Sequence, residues 1–386
     1  MCNVPILLLP LEPGVLRTPM TRYRIRLATR EDDAALRTRM AEDILHGQIS
    51  VSFRREPDYF AAMKLFGDQS QVVVCEDGDG RIVGLGCRHI RQSYLNGIPS
   101  RTGYLSDLRI APDTRQGTLL ARGFRFIRAL HDADPVPLYS TVVLDGNEAA
   151  LNALTQARVG LPVYSPLGRM LTPALHLDRV HRIPKVAGVN IRRASAADLI
   201  RVTEFMRREH ARKQFAPVWD VAALTAPGVG RLRIEDFWIA ERGDTLLGTL
   251  ATWDQHALRQ AHIETYSKSL SRIRPLYNLL AKISPLKRLP APGERVPYLY
   301  LSALAIADDS SAVFSQLLTT VCNAMRTGPW HYAICGLHQC DPLATVLENY
   351  RRIEAAGLLF AVHYPEQANA FAELDHRVPY LDFGVI

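Results

Sequence analysis

The chain has 386 residues, and because domains usually run to about 100–200 residues it has length for two, each able to bury a core of its own. Its 47% hydrophobic and 22% charged residues exclude a disordered or fibrous chain and describe a globular one. A net charge of +7 and an isoelectric point near 9.1 would suit nucleic acid, an anionic membrane, a carrier protein or a phosphate-rich cofactor, but the mild, arginine-weighted excess reads first as a solvated surface.

Residues 1–20 read as a loosely ordered lead-in. The apolar run from Pro5 to Pro10 is far shorter than the roughly 20 residues of a membrane span, and it lacks the basic start and small-residue cleavage site of a secretion signal. The six cysteines, at positions 2, 75, 87, 322, 335 and 340, show no framework spacing, so a reducing, cytoplasmic setting is expected.

The chain then repeats itself. Ile25, Arg26, Ala28, Asp32 and Met40 match Ile191, Arg192, Ala194, Asp198 and Met206, each set reading as a short strand that enters a helix capped by Thr29 or Ser195. A hairpin follows in both halves: Val72 to Cys75, Gly78, then Ile82-Val83-Gly84, against Trp238 to Ala240, Gly243, then Leu246-Leu247-Gly248. The next block, Leu105-Ser106-x-Leu108-x-Ile110-Ala111-x-Asp113, matches Leu301-Ser302-x-Leu304-x-Ile306-Ala307-x-Asp309 at a larger offset, which places an insertion in the second half. Amphipathic helices with Leu119, Leu120 and Phe124 against Val313, Phe314 and Leu318 come next. Leu138 to Val143 and Tyr332 to Leu337 supply another strand each, with Asn147 and Asp341 just beyond, and both halves close on Gly-Leu, at Gly160-Leu161 and Gly357-Leu358. The basic, Pro-containing stretch from Asp178 to Gly188 reads as the linker.

The order of strand, helix, helix, hairpin, long strand, loop, helix, strand and helix resembles the GNAT superfamily of acyl-CoA transferases. The likeness is sharpest over Leu108-Arg109-Ile110-Ala111-Pro112-Asp113-Thr114-Arg115-Gln116-Gly117-Thr118-Leu119-Leu120-Ala121, which follows the family's strand, Pro, Arg or Gln and small-residue loop in a degenerate form. The resemblance implies an α/β fold of two tandem domains, each a mixed twisted sheet flanked by helices: residues 21–180 bind acyl-CoA, and residues 188–386 lack the phosphate loop. It also implies acetyl-CoA or another acyl-CoA as co-substrate, with no metal.

A strand that feeds a helix through a tight turn aims several backbone N–H groups at one point, where the helix dipole adds positive charge. A pyrophosphate would therefore be held by the backbone of Arg115, Gln116, Gly117, Thr118, Leu119 and Leu120, with Arg115 adding a bidentate cation. Thr118 and Leu120 replace small residues, and a turn that binds nothing is the alternative. The second half has Asp308-Asp309-Ser310-Ser311-Ala312-Val313 instead, whose carboxylates repel a phosphate.

The resemblance carries further roles. The backbone N–H of Leu108 or Ile110 would face the thioester oxygen, and Asn147 would meet the pantetheine arm or cap a helix. Where the family often has a tyrosine acid stands Leu154; Tyr139 and Tyr164 are nearby substitutes that read as core aromatics. Acyl transfer to an amine needs a base, because a lysine-like amine has a pKa of about 10.4. Asp107 is the candidate, with Glu76 a second, and strict strand alternation would set Asp107 opposite Ser106 and Leu108.

The stretch His331-Tyr-Ala-Ile-Cys335-Gly-Leu-His338-Gln-Cys340-Asp341 collects metal-ligand residue types without one shared strand face or a paired cysteine knuckle, so no metal site is expected. The insertion, residues 255–295, holds eight Lys or Arg and two Glu, with apolar residues at three- and four-residue steps. It reads as a basic helix pair broken at Pro275 and Pro285, either covering its own domain or docking an acidic carrier protein or a membrane face. Nucleic-acid motifs are lacking. The expectation is an acyl-CoA-dependent N-acyltransferase, an acetyltransferase in the first instance, that acts on a small-molecule or peptide amine. The competing readings are a non-catalytic scaffold and a transferase whose donor is an acyl carrier protein or aminoacyl-tRNA.

Overall fold

A computed structural model describes residues 23–114, 119–156, 160–284 and 286–386. The lead-in over residues 1–20, the loop residues Arg115, Gln116, Gly117 and Thr118, and Pro285 lie outside these described residues. In the first half the chain forms β1 (Tyr23–Leu27), α1 (Asp33–Glu42), β2 (Ile44–Leu45), β3 (Ile49–Arg54), α2 (Tyr59–Met63), β4 (Gln69–Asp77), β5 (Ile82–Leu95) and β6 (Ile98–Ile110). It continues with α3 (Leu119–Ala133), β7 (Tyr139–Leu144), α4 (Glu148–Thr155), β8 (Val163–Leu171) and β9 (Ala174–His176). The second half forms β10 (Asn190–Arg193), α5 (Leu199–His210), α6 (Val221–Thr225), β11 (Phe237–Arg242), β12 (Thr245–Trp253), β13 (Gln260–Tyr266) and α7 (Lys268–Leu280). Then come β14 (Tyr298–Ile306), α8 (Ser311–Met325), β15 (Tyr332–Cys335), β16 (Leu337–His338), β17 (Arg352–Ile353) and β18 (Ala356–His363).

The duplication is visible atom by atom. Thr29 and Asp32 form a capping box ahead of α1, and Ser195 and Asp198 form another ahead of α5. Arg26 grips Asp32 through two bonds, of 2.6 and 2.8 Å, and Glu76 through its Nε at 2.9 Å. Arg192 does the same to Asp198, at 2.8 Å twice, and to Glu241 at 2.7 Å. Forked guanidinium pairs of this kind fix geometry as well as supplying energy. Leu36 and Met40 of α1 and their counterparts Val202 and Met206 of α5 are wholly buried in one shared hydrophobic cluster. Each such side chain contributes about 1.5–3 kcal/mol of burial.

The halves are not independent units. One sheet runs β1-β4-β5-β6-β7-β18-β8-β16 and the other β10-β11-β12-β14-β15-β9-β17. The last strand of the second half, β18, thus lies between β7 and β8 of the first, and β9 of the first half lies between β15 and β17 of the second. By sheet position β18 corresponds to β9, so the closing Gly-Leu match does not mark equivalent elements: Gly160 and Leu161 precede β8, whereas Gly357 and Leu358 lie within β18. A small third sheet, β13-β3-β2, adds another tie across the halves. The insertion is therefore a strand followed by one described helix, α7, and not a helix pair.

Candidate functional site

Two features open the first sheet at its centre. β6 and β7 pair in parallel only where Gly103 and Tyr104 meet Tyr139 and Ser140, and the close approach there needs glycine, since a Cβ on Gly103 would stand 1.9 Å from the Tyr139 ring. Beyond that point the strands diverge. Thr141 still reaches across with its hydroxyl, donating to the Leu105 carbonyl at 2.8 Å. Just past this contact β6 carries a bulge: Leu85 pairs with Arg109 and Cys87 with Ser106, so Asp107 and Leu108 together oppose Gly86. Asp107 has a φ of 52°, in the left-handed region that L-residues rarely enter.

The bulge overturns the alternation expected from sequence. Ser106 and Asp107 share one face: Ser106 meets His89 Nε2 at 2.8 Å, and Asp107 accepts from Tyr59 Oη at 3.4 Å, next to Cys87. Leu108 points the other way, into a small apolar pocket of about 50 Å³ that it lines with Gly86, Leu119 and Phe124. The bulge inserts one residue, and one residue is enough to move every side chain after it across the sheet.

The Asp107 side chain is only 9% exposed and carries a strongly cationic shell. Arg55 lies 3.5 Å from it. Burial raises the carboxyl pKa, but the fields of Arg55, Arg109 and Arg259 outweigh that effect and hold it below the usual value. His89, hydrogen-bonded to Ser70 at 2.7 Å and stacked on Phe66, is driven by burial to about 3 and stays neutral. The second half packs against this cluster. Arg259 stacks over Phe66 at 4.9 Å and over Tyr300 at 5.0 Å, and Arg55 lies over the same Phe66 ring at 5.5 Å. Arg91 donates to the Val385 main-chain oxygen and Arg259 to that of Ile386, each at 2.7 Å, so these two residues lie beside the same cluster.

The other sequence-derived residues fall in distinct places. Ile110 stays in the ladder opposite Gly84, which leaves Leu108 at the bulge. Leu119 and Leu120 open α3 with their side chains packed inward against separate hydrophobic clusters. Asn147 caps α4, accepting from the Ala150 N–H at 3.1 Å, and its side-chain amide group remains exposed beyond the end of β7. Tyr139 is tied to Arg88 and to His131 at 2.8 Å each, while Tyr164 packs on Phe124 and Phe360. Glu76 is taken up by Arg26, as Glu241 is by Arg192. Among the described residues no three metal-ligating side chains converge, and His338 Nε2 meets the Leu167 carbonyl at 2.9 Å.

The second half repeats the bulge and then fills it. Ala303 has a φ of 49°, and the register slips between Thr249 and Ala251 as it does between Leu85 and Cys87. Its two bulge N–H groups are already bonded: Ala303 donates to Asp382 at 2.7 Å and Leu304 to the Tyr380 hydroxyl at 3.1 Å. Those partners come from the chain's own tail, which Gln214 holds by two backbone bonds, to Val378 and from Tyr380. The loop that would hold a phosphate is closed as well. Lys213 lies 2.9 Å from both Asp309 and Asp341, and Ser310 caps α8. In the first half the matching groups are the N–H of Asp107 and of Leu108, and among the described residues no side chain accepts from either. Sequence reasoning missed the tail, the shell of Arg55, Tyr59 and Arg259, and the bulge. The bulge alone had a local sign, Gly86 opposite a polar residue in an apolar strand.

No protein-family profile and no curated protein sequence matches the chain. Solved structures do. A GCN5-related N-acetyltransferase from Sphaerobacter thermophilus shares 11% identity at a TM-score of 0.53, over 95% of this chain and 99% of its own. Saccharomyces cerevisiae N-myristoyltransferase with bound myristoyl-CoA shares 9% at a TM-score of 0.58, over 94% and 85%. The glucosamine N-acetyltransferase region of a fungal multi-domain β-N-acetylglucosaminidase shares 11% at 0.60, over 88% of this chain and 38% of that one. The chain has the GNAT fold, laid out twice. At such identities the likeness is one of fold, and activity has to be argued from the site.

Proposed function

We propose that this doubled GNAT fold is an acyl-CoA-dependent N-acyltransferase whose first half binds the donor and whose second half walls the acceptor chamber. The observation that carries the reading is the contrast between the two bulges. One has its N–H groups capped by the chain's own tail, and the other opens on a split between strands with no side chain on its donors.

In this reading the thioester lies in the cleft between β6 and β7, with its carbonyl oxygen on the Leu108 N–H. Residues 115–118 and the start of α3 receive the pyrophosphate, Arg115 adding its fork, and the amide of Asn147 faces the pantetheine arm. The acceptor amine enters from the Asp107 side. The amine enters as its free base, having given a proton to solvent, and Asp107, kept ionised by its arginines, accepts the second proton as the N–C bond forms and the nitrogen becomes cationic. The freed nitrogen attacks the thioester carbon, the N–C bond forms, and negative charge gathers on the oxygen facing Leu108. A preorganised backbone donor at such an oxygen contributes about 3–4 kcal/mol to the barrier. Collapse breaks the C–S bond, and a thiolate with a pKa of about 8.5 leaves without prior protonation and takes its proton from solvent. The products are an amide and free CoA.

Acetyl-CoA is the first donor to try, and longer acyl-CoAs follow. Calorimetric titration of the full chain with CoA and acyl-CoAs tests the reading: a saturable heat supports it, and a flat response to every acyl-CoA overturns it.

A further inference from the structure

A surface helix of a globular protein ordinarily turns its apolar stripe inward and its polar side to water. α7 does the reverse. Its inner side is held by polar contacts with the returning chain: Asn278 exchanges two hydrogen bonds with the Leu289 backbone, at 2.8 and 3.0 Å, and Arg274 and Tyr266 both donate to the Pro290 carbonyl. Its outer side is aliphatic. Ile273, Leu276, Leu279, Leu280 and, one turn beyond, Ile283 are 55%, 60%, 59%, 47% and 86% exposed. At 100° per residue these five positions fall within an arc of about 120°. None of the helix's residues is buried.

The charge around that arc has one sign. From Ser267 to Leu289 the sequence holds Lys268, Arg272, Arg274, Lys282, Lys287 and Arg288, and no Asp or Glu. Lys268, Arg272 and Lys282 are exposed and, among the described residues, have no carboxylate partner. The acids that flank this run in sequence are already committed, Glu264 to Arg54 at 2.8 Å and Glu294 to Arg288 at 2.9 Å. Lysine and arginine carry their charges on long apolar stems, so cations flanking an aliphatic arc can reach a plane of phosphates while the arc sinks beneath it. The helix is too short to cross a membrane, and its inner face is fixed to the protein.

We propose that α7 is an interfacial anchor that seats this chain on an anionic lipid surface, with Ile273, Leu276, Leu280 and Ile283 entering the acyl boundary and Lys268, Arg272 and Lys282 meeting the headgroup phosphates. The anchor stands on the surface of the insertion and does not depend on the transferase reading.

Co-sedimentation of the full chain with vesicles tests it. The chain binds vesicles of phosphatidylcholine with about one-third phosphatidylglycerol and not pure phosphatidylcholine, and binding weakens with salt. The double variant Leu276→Asp, Ile283→Asp and the triple variant Lys268→Glu, Arg272→Glu, Lys282→Glu each lower the partition coefficient by about tenfold or more. These positions are exposed, so the thermal midpoint of each variant stays that of the parent, which separates lost binding from lost fold. No sedimentation with the anionic vesicles, or equal sedimentation of parent and variants, overturns the proposal. So does a dimer in sedimentation velocity that the aspartate variant breaks without any lipid binding, because a second copy would then be what covers the face.

Discussion

The Asp382 carboxylate accepts a hydrogen bond from the backbone N–H of Ala303 at 2.7 Å, and Ala303 stands in the second half where Asp107 stands in the first. A peptide N–H at a bulge has left its ladder and must find another acceptor, or lose about 1–3 kcal/mol on burial. In the second half the tail supplies that acceptor from within the chain. Its counterpart in the first half opens on a cleft, and there an external oxygen can take the same place.

Asp382→Ala leaves the Ala303 N–H buried without a partner and also removes the acceptor of the Gly384 N–H. The expected cost is about 2–4 kcal/mol in equilibrium unfolding, with Asp382→Asn costing less because its side-chain carbonyl still accepts. Urea denaturation of both variants checks the order.

Asp107→Asn should leave CoA affinity intact, lower stability because buried Arg55 loses its carboxylate, and lower kcat by about 10²–10⁴ on whichever amine is turned over. Because the carboxyl is held below its usual range, it stays ionised throughout neutral pH. The rate above pH 5 should therefore rise with deprotonation of the acceptor amine, and the acid limb belonging to Asp107 should lie below a pH of about 4. A pH–rate profile with its acid limb near 6 would assign the proton to another group.

Hydrogen bonds from Arg26 bring the Asp32 carboxyl down to about 2, and Arg192 lowers Asp198 in the same way. A carboxyl depressed by folding adds stability that is complete above its unfolded value of about 4 and is lost as pH falls through the folded value. Unfolding free energy should fall between pH 4 and about 2, and Asp32→Asn should flatten part of that slope. Urea midpoints across the range supply the measurement.

Neither half should fold alone. Residues 21–180 lack β18, the strand that fills the gap between β7 and β8, and residues 188–386 lack β9. Each fragment would expose two unpaired strand edges at its centre, so separate expression should yield insoluble or unfolded protein and co-expression should restore it. A folded first fragment with native-like circular dichroism would contradict the exchange.

Much of this architecture was legible in the sequence because it is local. The capping boxes at Thr29 and Ser195, the hairpins and the apolar runs are set by neighbours a few residues apart, and they recur at one offset before the insertion and a larger one after it. The strand exchange leaves no local trace, since β9 and β18 keep the same short apolar pattern whichever sheet they join. The face of Asp107 could not be read because a single inserted residue reverses it. The closure of the second cleft depends on Tyr380 and Asp382, which lie 76 and 79 residues along the chain from Leu304 and Ala303. Arg115, which sequence places at the pyrophosphate, lies outside the described residues and is reached only by experiment.

One open cleft and one filled cleft mean one donor per chain. Isothermal titration of the intact protein with CoA should give a stoichiometry of one, with the affinity lowered about 10- to 100-fold by Arg115→Ala through loss of its charged hydrogen bonds. Two sites per chain, or no binding of CoA or any acyl-CoA, would contradict the account.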